Sequence, residues 1–145
     1  MTKNNYYVKT CSFKEYIKKY DQIANIINSD LLFKVDPAYN AFNYYICSRG
    51  AAAINLDIDN KNIIINGLIG YNGGGGAVLK HIVNNFKNSK YDIILDSFES
   101  NNNFYVKHGF KAYKYSKYDP IYDPLKLNKN HEGVIYYYYN KEVII

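Results

Sequence analysis

Apolar side chains at Phe13, Tyr16, Ile17, Tyr20, Ile23, Ala24 and Ile27 recur at steps of three and four, with Lys14, Lys18 and Lys19 set between them. That period predicts an amphipathic helix with one core face and one solvated basic face. Ser12 and Glu15 stand at capping-box spacing just ahead of it: the hydroxyl accepts from the backbone and the carboxylate reaches back. Upstream, Tyr6, Tyr7 and Val8 read as a short strand. The segment from Ser29 to Phe42, with Pro37 and mixed polarity, reads as a connector of the kind that borders a substrate cleft. The period then changes. Tyr44–Ser48 and Ala51–Asp57 are strand-like runs punctuated by Arg49-Gly50, and a polar turn from Asp57 to Asn62 leads into the apolar run of Ile63, Ile64, Ile65, Leu68 and Ile69. Three strands in succession predict an antiparallel meander.

Helical spacing returns at Val78, Leu79, Ile82, Val83 and Phe86 and stops at Asn88-Ser89-Lys90. Tyr91–Phe98 follows as a buried strand. Strand, helix and strand at this separation make a βαβ unit with two parallel strands. Beyond it come an Asn-capped short helix from Asn101 closed by Gly109, a strand from Phe110 to Tyr115, an irregular loop marked by Asp119-Pro120 and Asp123-Pro124, and a last strand from Gly133 to Tyr139. No internal repeat or second domain is visible, so residues 1–145 read as one α/β (α+β) domain.

Between the apolar strand and its helix lie Gly73, Gly74, Gly75 and Gly76. Consecutive glycines are costly to order and are kept where φ is positive or where a ligand approaches bare backbone. The orphan N–H groups of a helix start favour an anion, which makes a phosphate-bearing ligand one reading. A tight turn without a ligand is the other. Either way the loop sits at the carboxyl end of the sheet, where ligands of open α/β folds bind.

Composition narrows the field. A hydrophobic share of 48% over 145 residues suits a chain with a real core, neither disordered nor fibrous. No apolar run reaches the roughly 20 residues of a membrane span, and the N-terminal residues lack a signal-peptide core, so a cytoplasmic protein is expected. Cys11 and Cys47 are too few for a disulfide framework and lack metal-ligand spacing; buried thiols are expected, and no metal site. The net charge of +5 suits an anionic partner, but Arg49 is the single arginine, so charge alone supports nucleic-acid binding weakly. A phosphate-binding Gly-x-x-x-x-Gly-Lys-Ser/Thr loop and a dinucleotide fingerprint are both absent. Ser97 and Cys47 lack a His/acid partner set, which disfavours a nucleophilic hydrolase. His81 reads as solvent-facing, with a phosphate-facing place on the helix after the loop as the alternative, His108 as a helix-end residue and His131 as loop surface.

Two motifs carry a family resemblance. Tyr71-Asn72-Gly73-Gly74-Gly75-Gly76 stands where an Arg/Gln-x-x-Gly-x-Gly/Ala pyrophosphate loop would, and Phe104-Tyr105-Val106-Lys107-His108-Gly109-Phe110 follows the second parallel strand as a Phe-Tyr-x-x-x-Gly-Phe segment. In order and separation they resemble the GNAT N-acetyltransferase superfamily, including its small phage or mobile-element members. They span Ile63 to Tyr115. The resemblance implies a single GNAT-like domain with a mixed sheet of six or seven strands flanked by helices. It also implies acetyl-CoA as cofactor and an unidentified amine, on a small molecule or protein, as acceptor.

What the resemblance implies for the site is specific. Backbone N–H groups from Gly73 to Gly76, with Ala77 opening the helix and Tyr71 ahead of them, would hold the pyrophosphate. The pantetheine arm would lie where the strand ending at Gly70 splays from Tyr91–Phe98, and an N–H near Leu68 or Ile69 would polarise the thioester carbonyl. Tyr105 would protonate the departing thiolate. Asp96 and Glu99 are the candidate bases, against the plainer roles of surface carboxylate and helix cap. Tyr71 replaces the usual Arg or Gln of the loop. The asparagine expected two helical turns before the tyrosine is replaced by Phe98, with Asn101 or Asn102 as substitutes. Direct attack in a ternary complex is the expected mechanism. A non-catalytic protein of the same fold, binding a protein or nucleic acid, is the alternative, and acyl transfer to a modified base or tRNA a third. The last strand, Ile135–Tyr139, would supply core or a dimer edge, leaving monomer and homodimer open.

Overall fold

The computed structural model describes residues 6–27 and 41–141. The connector expected from Ser29 to Phe42 lies almost wholly outside these. In chain order the elements are β1 (Lys9–Cys11), α1 (Phe13–Ile27), β2 (Asn43–Cys47), β3 (Gly50–Asp57), β4 (Asn62–Gly70), α2 (Gly74–Phe86), β5 (Asp92–Phe98), α3 (Asn102–Lys107), β6 (Phe110–Ser116) and β7 (Val134–Tyr139). They build one seven-stranded mixed sheet in the order β1-β2-β3-β4-β5-β7-β6. Only β4 and β5 run parallel; every other neighbouring pair is antiparallel. The expected meander and βαβ unit are therefore both present.

Alternation along β2 and β3 gives the sheet two apolar faces. Tyr45, Cys47, Ala52 and Ile54 join Val78, Leu79, Ile82 and Val83 of α2 in one core. Ile46, Ala51 and Ala53 join Tyr16, Tyr20 and Ile23 of α1 in the other. The capping box forms as expected: the Glu15 N–H donates to Ser12 Oγ at 3.1 Å and the Ser12 N–H to Glu15 Oε1 at 3.3 Å. Cys47 is buried and Cys11 half-buried, and both are free thiols. Among the described residues no helix is long and apolar enough to cross a membrane.

Two expectations are corrected, and of the two roles left open for the last strand, core and edge, the structure shows core. The first strand is Lys9–Cys11, not Tyr6–Val8, because β1 pairs with β2 through Lys9–Cys11 while Tyr6 passes to the glycine loop. The four glycines are not all loop: α2 begins at Gly74, with Gly73 as the residue before it at φ +88°. Finally, β7 is not an edge. It inserts between β5 and β6, which makes Tyr137 fully buried core; β1 and β6 are the edges. Lys111 and Lys114 stand exposed on β6, as suits an edge that must not pair with another sheet.

The middle of the sheet is shaped by a bulge. Ala53 opposes Asn66 while Ala51 opposes Ile69, so β4 carries one extra residue where Gly67 adopts φ +56°. The insertion transposes the faces of β4: Ile63 and Ile65 pack toward α2, but Ile69 packs toward α1. The fully buried Tyr16 of α1 donates its hydroxyl to the Gly67 carbonyl at 2.7 Å. Pairing of β4 with β5 covers only Asn62–Ile64 against Asp92–Ile94. Past those three residues the two strands part and leave a wedge-shaped gap.

Tyr16→Phe should leave that bulge carbonyl without its partner and cost about 1–3 kcal/mol of stability. A urea titration that finds less than a few tenths would show that the hydroxyl is not needed.

Candidate functional site

A cleft of about 1660 Å³ opens from this gap. The freed ends of β4 and β5 contribute Leu68, Ile69, Gly70 and Phe98; the loop and first turn of α2 contribute Tyr71, Asn72, Gly73, Gly75, Gly76 and Ala77; α3 contributes Phe104 and Tyr105. Loop, strand gap and tyrosine thus share one continuous cleft.

The glycines divide into two tasks. A β-carbon at Gly74 would overlap the Arg49 carbonyl oxygen, one at Gly50 the Gly74 carbonyl, and one at Gly70 the Gly75 nitrogen. Gly50, Gly70 and Gly74 therefore let the start of α2 rest directly on the end of β4 and on the β2–β3 turn, and Gly74 is buried and does not line the cleft. Gly75 differs: its β-carbon would meet nothing closer than 3.6 Å. The Gly74 N–H donates to the Tyr71 carbonyl and the Ala77 N–H to Gly73, both at 3.0 Å. This leaves the amides of Gly73, Gly75 and Gly76 as the first-turn donors without a backbone acceptor among the described residues, all three on the cleft. With the positive end of a 13-residue helix behind them, they present donors that suit an anion.

Tyr105 lies at the far side of the gap, 6% exposed, packed against Phe104, Phe110 and Tyr137 with ring centroids 5.0, 6.1 and 5.2 Å away. Burial pushes its phenol up to about 12, while a hydrogen bond with Ser97 pulls the other way. The group is fully protonated at neutral pH. Asn101, at the start of α3, donates from Nδ2 to Ser97 Oγ at 2.9 Å and so completes the chain Asn101–Ser97–Tyr105.

Three predicted residues stand elsewhere. Glu99 accepts from the Gly133 N–H at 3.1 Å and its own N–H donates to the Gly133 carbonyl, which clamps the end of β5 to the start of β7. Asn102 accepts from the Tyr137 hydroxyl at 2.8 Å. Neither lines the cleft. Asp96 alternates with the inward Leu95 and Ser97 and leaves the opposite face of β5; the residue is exposed, yet partial desolvation raises its carboxyl above the ordinary range.

Several cleft residues carry no sequence signal. Tyr6 lines the cleft from far upstream and donates its hydroxyl to the Asn72 carbonyl at 2.7 Å. His108 ends α3 as expected, but it also lies on the cleft. Its Nδ1 is 2.7 Å from the Phe104 carbonyl, which assigns the proton to Nδ1 in the neutral ring and leaves Nε2 as an acceptor beside Gly76. His81 is not simply solvent-facing: it lines the cleft with its ring edge-on to Tyr45 at 5.5 Å. These placements come from packing between distant segments.

A seven-stranded α/β domain whose only parallel pair splays beside a glycine-started helix is a defined architecture, and solved structures share it. The chain has the fold of the GNAT N-acetyltransferases. A protein from Desulfovibrio desulfuricans assigned to the GNAT acetyltransferase family superposes with a TM-score of 0.66 at 10% identity, over 94% of this chain and 99% of that one. The ribosomal-protein-S18-alanine N-acetyltransferase of Escherichia coli gives 0.63 at 12%, over 97% and 99%. N-acetylglutamate synthase of Neisseria gonorrhoeae, solved with coenzyme A and N-acetyl-glutamate, gives 0.63 at 12%, over 96% of this chain and 36% of that one. No protein-family model matches the sequence, and no curated protein matches it.

The two classes of glycine should separate in substitution. Gly74→Ala must displace α2 from the Arg49 carbonyl and should cost about 1–3 kcal/mol. Gly75→Ala, with room for its methyl, should be neutral or stabilising by up to about 1 kcal/mol. Equal effects on chemical denaturation would refute the division.

Proposed function

We propose that the chain transfers an acetyl group from acetyl-CoA to an amine by direct attack in a ternary complex. The observation that carries this is the continuous cleft from the free amides of Gly73, Gly75 and Gly76, through the parted ends of β4 and β5, to Tyr105. Its support is chemical. The helix start suits a pyrophosphate, and the gap suits an extended pantetheine arm whose amides can pair with strand backbone that no neighbouring strand uses. In this reading an N–H of the backbone at Leu68 or Ile69, just past the bulge, polarises the thioester carbonyl. The fold's solved examples include a protein with coenzyme A bound.

In this reading the amine lone pair attacks the thioester carbon, the C–S bond breaks, and the sulfur leaves as a thiolate. A free thiol has a pKa near 8.5, so full proton transfer from a phenol at about 12 is uphill by roughly 3 units. Tyr105 therefore acts as a hydrogen-bond donor that stabilises charge growing on sulfur, its proton passing over only as the product leaves. The amine must lose a proton to attack. Glu99 is held on Gly133, which makes Asp96, raised by desolvation and facing the other side of the sheet, the better base, with the acceptor entering from that side. One observation favours a non-catalytic binding protein instead: neither carboxylate lines the cleft.

Calorimetric titration with acetyl-CoA tests the reading. Micromolar binding that Gly75→Glu abolishes, with the variant still folded, is the expected result; no binding by the unaltered protein would sink it, and binding without turnover on any amine would select the non-catalytic alternative.

Once an acceptor is found, Tyr105→Phe should lower kcat by about 100-fold with little change in KM for acetyl-CoA. The folded phenol sits above its unfolded value of about 10, so its protonated form, and the stability tied to it, is intact below pH 10 and lost as pH rises through about 12. A pH–rate profile should thus show no alkaline loss from Tyr105 below pH 10. A Tyr-dependent fall near pH 8 would contradict that assignment.

A further inference from the structure

Arg49, the single arginine, has no task in the reading above. It is half-buried in the turn between β2 and β3, the turn that presses on Gly74. Its carbonyl accepts from the Tyr71 N–H at 3.1 Å, which ties the turn to the entry of the glycine loop. Its guanidinium carbon stands 5.5 Å from the centroid of the Tyr71 ring and 6.0 Å from that of Tyr6. Nη1 donates to the Tyr6 hydroxyl at 3.4 Å, and that hydroxyl donates on to Asn72, the residue before Gly73. Tyr6, Tyr71 and Asn72 all line the cleft.

Among the described residues this charge meets two aromatic rings and one hydroxyl, and no carboxylate. A guanidinium carries five donors, and one is used here. The rings hold the planar head in place, so little side-chain entropy remains to be lost on binding an anion. Tyr71 itself, at the head of the loop, is uncharged. Lys80 and Lys107 line the cleft directly, where Arg49 stands behind Tyr6 and Tyr71, but they are flexible point charges on the helices.

We propose that Arg49, brought in from the β2–β3 turn and held between Tyr6 and Tyr71, supplies the guanidinium that binds the phosphate-bearing end of the cofactor at the glycine loop. The proposal rests on acetyl-CoA being the ligand of the cleft. Tyr71 then holds a borrowed charge where a loop arginine would carry its own. The planar fork adds directional donors to the amides of Gly73, Gly75 and Gly76.

The test compares acetyl-CoA with S-acetylpantetheine, which keeps the thioester arm and lacks the nucleotide phosphates, on the unaltered protein, Arg49→Gln and Arg49→Lys. Binding is read by calorimetry at low and moderate salt, and melting temperature is recorded for each variant. Arg49→Gln is expected to weaken acetyl-CoA about 10- to 50-fold, leave S-acetylpantetheine within twofold, and reduce the salt dependence of acetyl-CoA binding. Arg49→Lys should recover part of the loss, since it keeps the charge without the fork. Arg49→Gln binding acetyl-CoA like the unaltered protein would overturn the proposal. So would equal loss of both ligands with a lowered melting temperature, the mark of a purely structural brace. If the unaltered protein fails to bind acetyl-CoA, the functional reading falls and takes this proposal with it, a result told apart by its flat titration before any substitution.

Discussion

Backbone resting on backbone, at the point where Gly50, Gly70 and Gly74 meet, is the contact on which the rest of the molecule depends. A β-carbon at any of the three would overlap main-chain atoms of another segment. Because none is there, the first turn of α2 lies flush on the end of β4 and the β2–β3 turn, with Gly73, Gly75 and Gly76 left lining the cleft. The helix is aimed by what these positions lack. Conformational entropy opposes so glycine-rich a junction, and the apolar face of α2, with Val78, Leu79 and Ile82 all fully buried, offsets it a turn further on.

The bulge at Gly67 does the complementary work on the sheet. One extra residue in β4 moves the following side chains to the opposite faces and coincides with the stretch where β4 no longer pairs with β5. Tyr16 pins the displaced carbonyl from the other side of the sheet, so α1, which contributes only Ile27 to the cleft wall, holds the shape of its edge. Stability and site are joined here through one hydroxyl.

Much of this was legible before any coordinates. The period of Phe13 to Ile27, the Ser12/Glu15 capping box and the βαβ spacing around the glycines each rest on local physics, and each appears in the fold. The glycine run also marked the cleft, but not its internal division, because Gly74 is required by the Arg49 carbonyl of a turn 25 residues upstream that no local pattern names. Tyr6 and His108 reach the cleft, and Arg49 reaches the Tyr6 and Tyr71 rings that line it, through contacts between distant segments. The strand at Tyr6–Val8 was misplaced for the same reason: its β-propensity is real, but Lys9–Cys11 is what lies opposite β2. Glu99 shows the converse, a carboxylate well placed in sequence with one oxygen claimed by a remote backbone N–H.

The place of β7 has a consequence for how the molecule comes into being. Its partner β5 ends at Phe98, and β7 begins at Val134, after α3, β6 and a long loop have been laid down. Until that last strand slides between its neighbours, β5 is an open edge and β6 has no sheet to join. On a ribosome the chain emerges from its N-terminus, so the meander and α2 can assemble early while this half waits until β7 has cleared the exit tunnel. The side of the cleft that holds Tyr105 is then closed only once β7 has been made, so the order of translation builds the two walls of the cleft at different times.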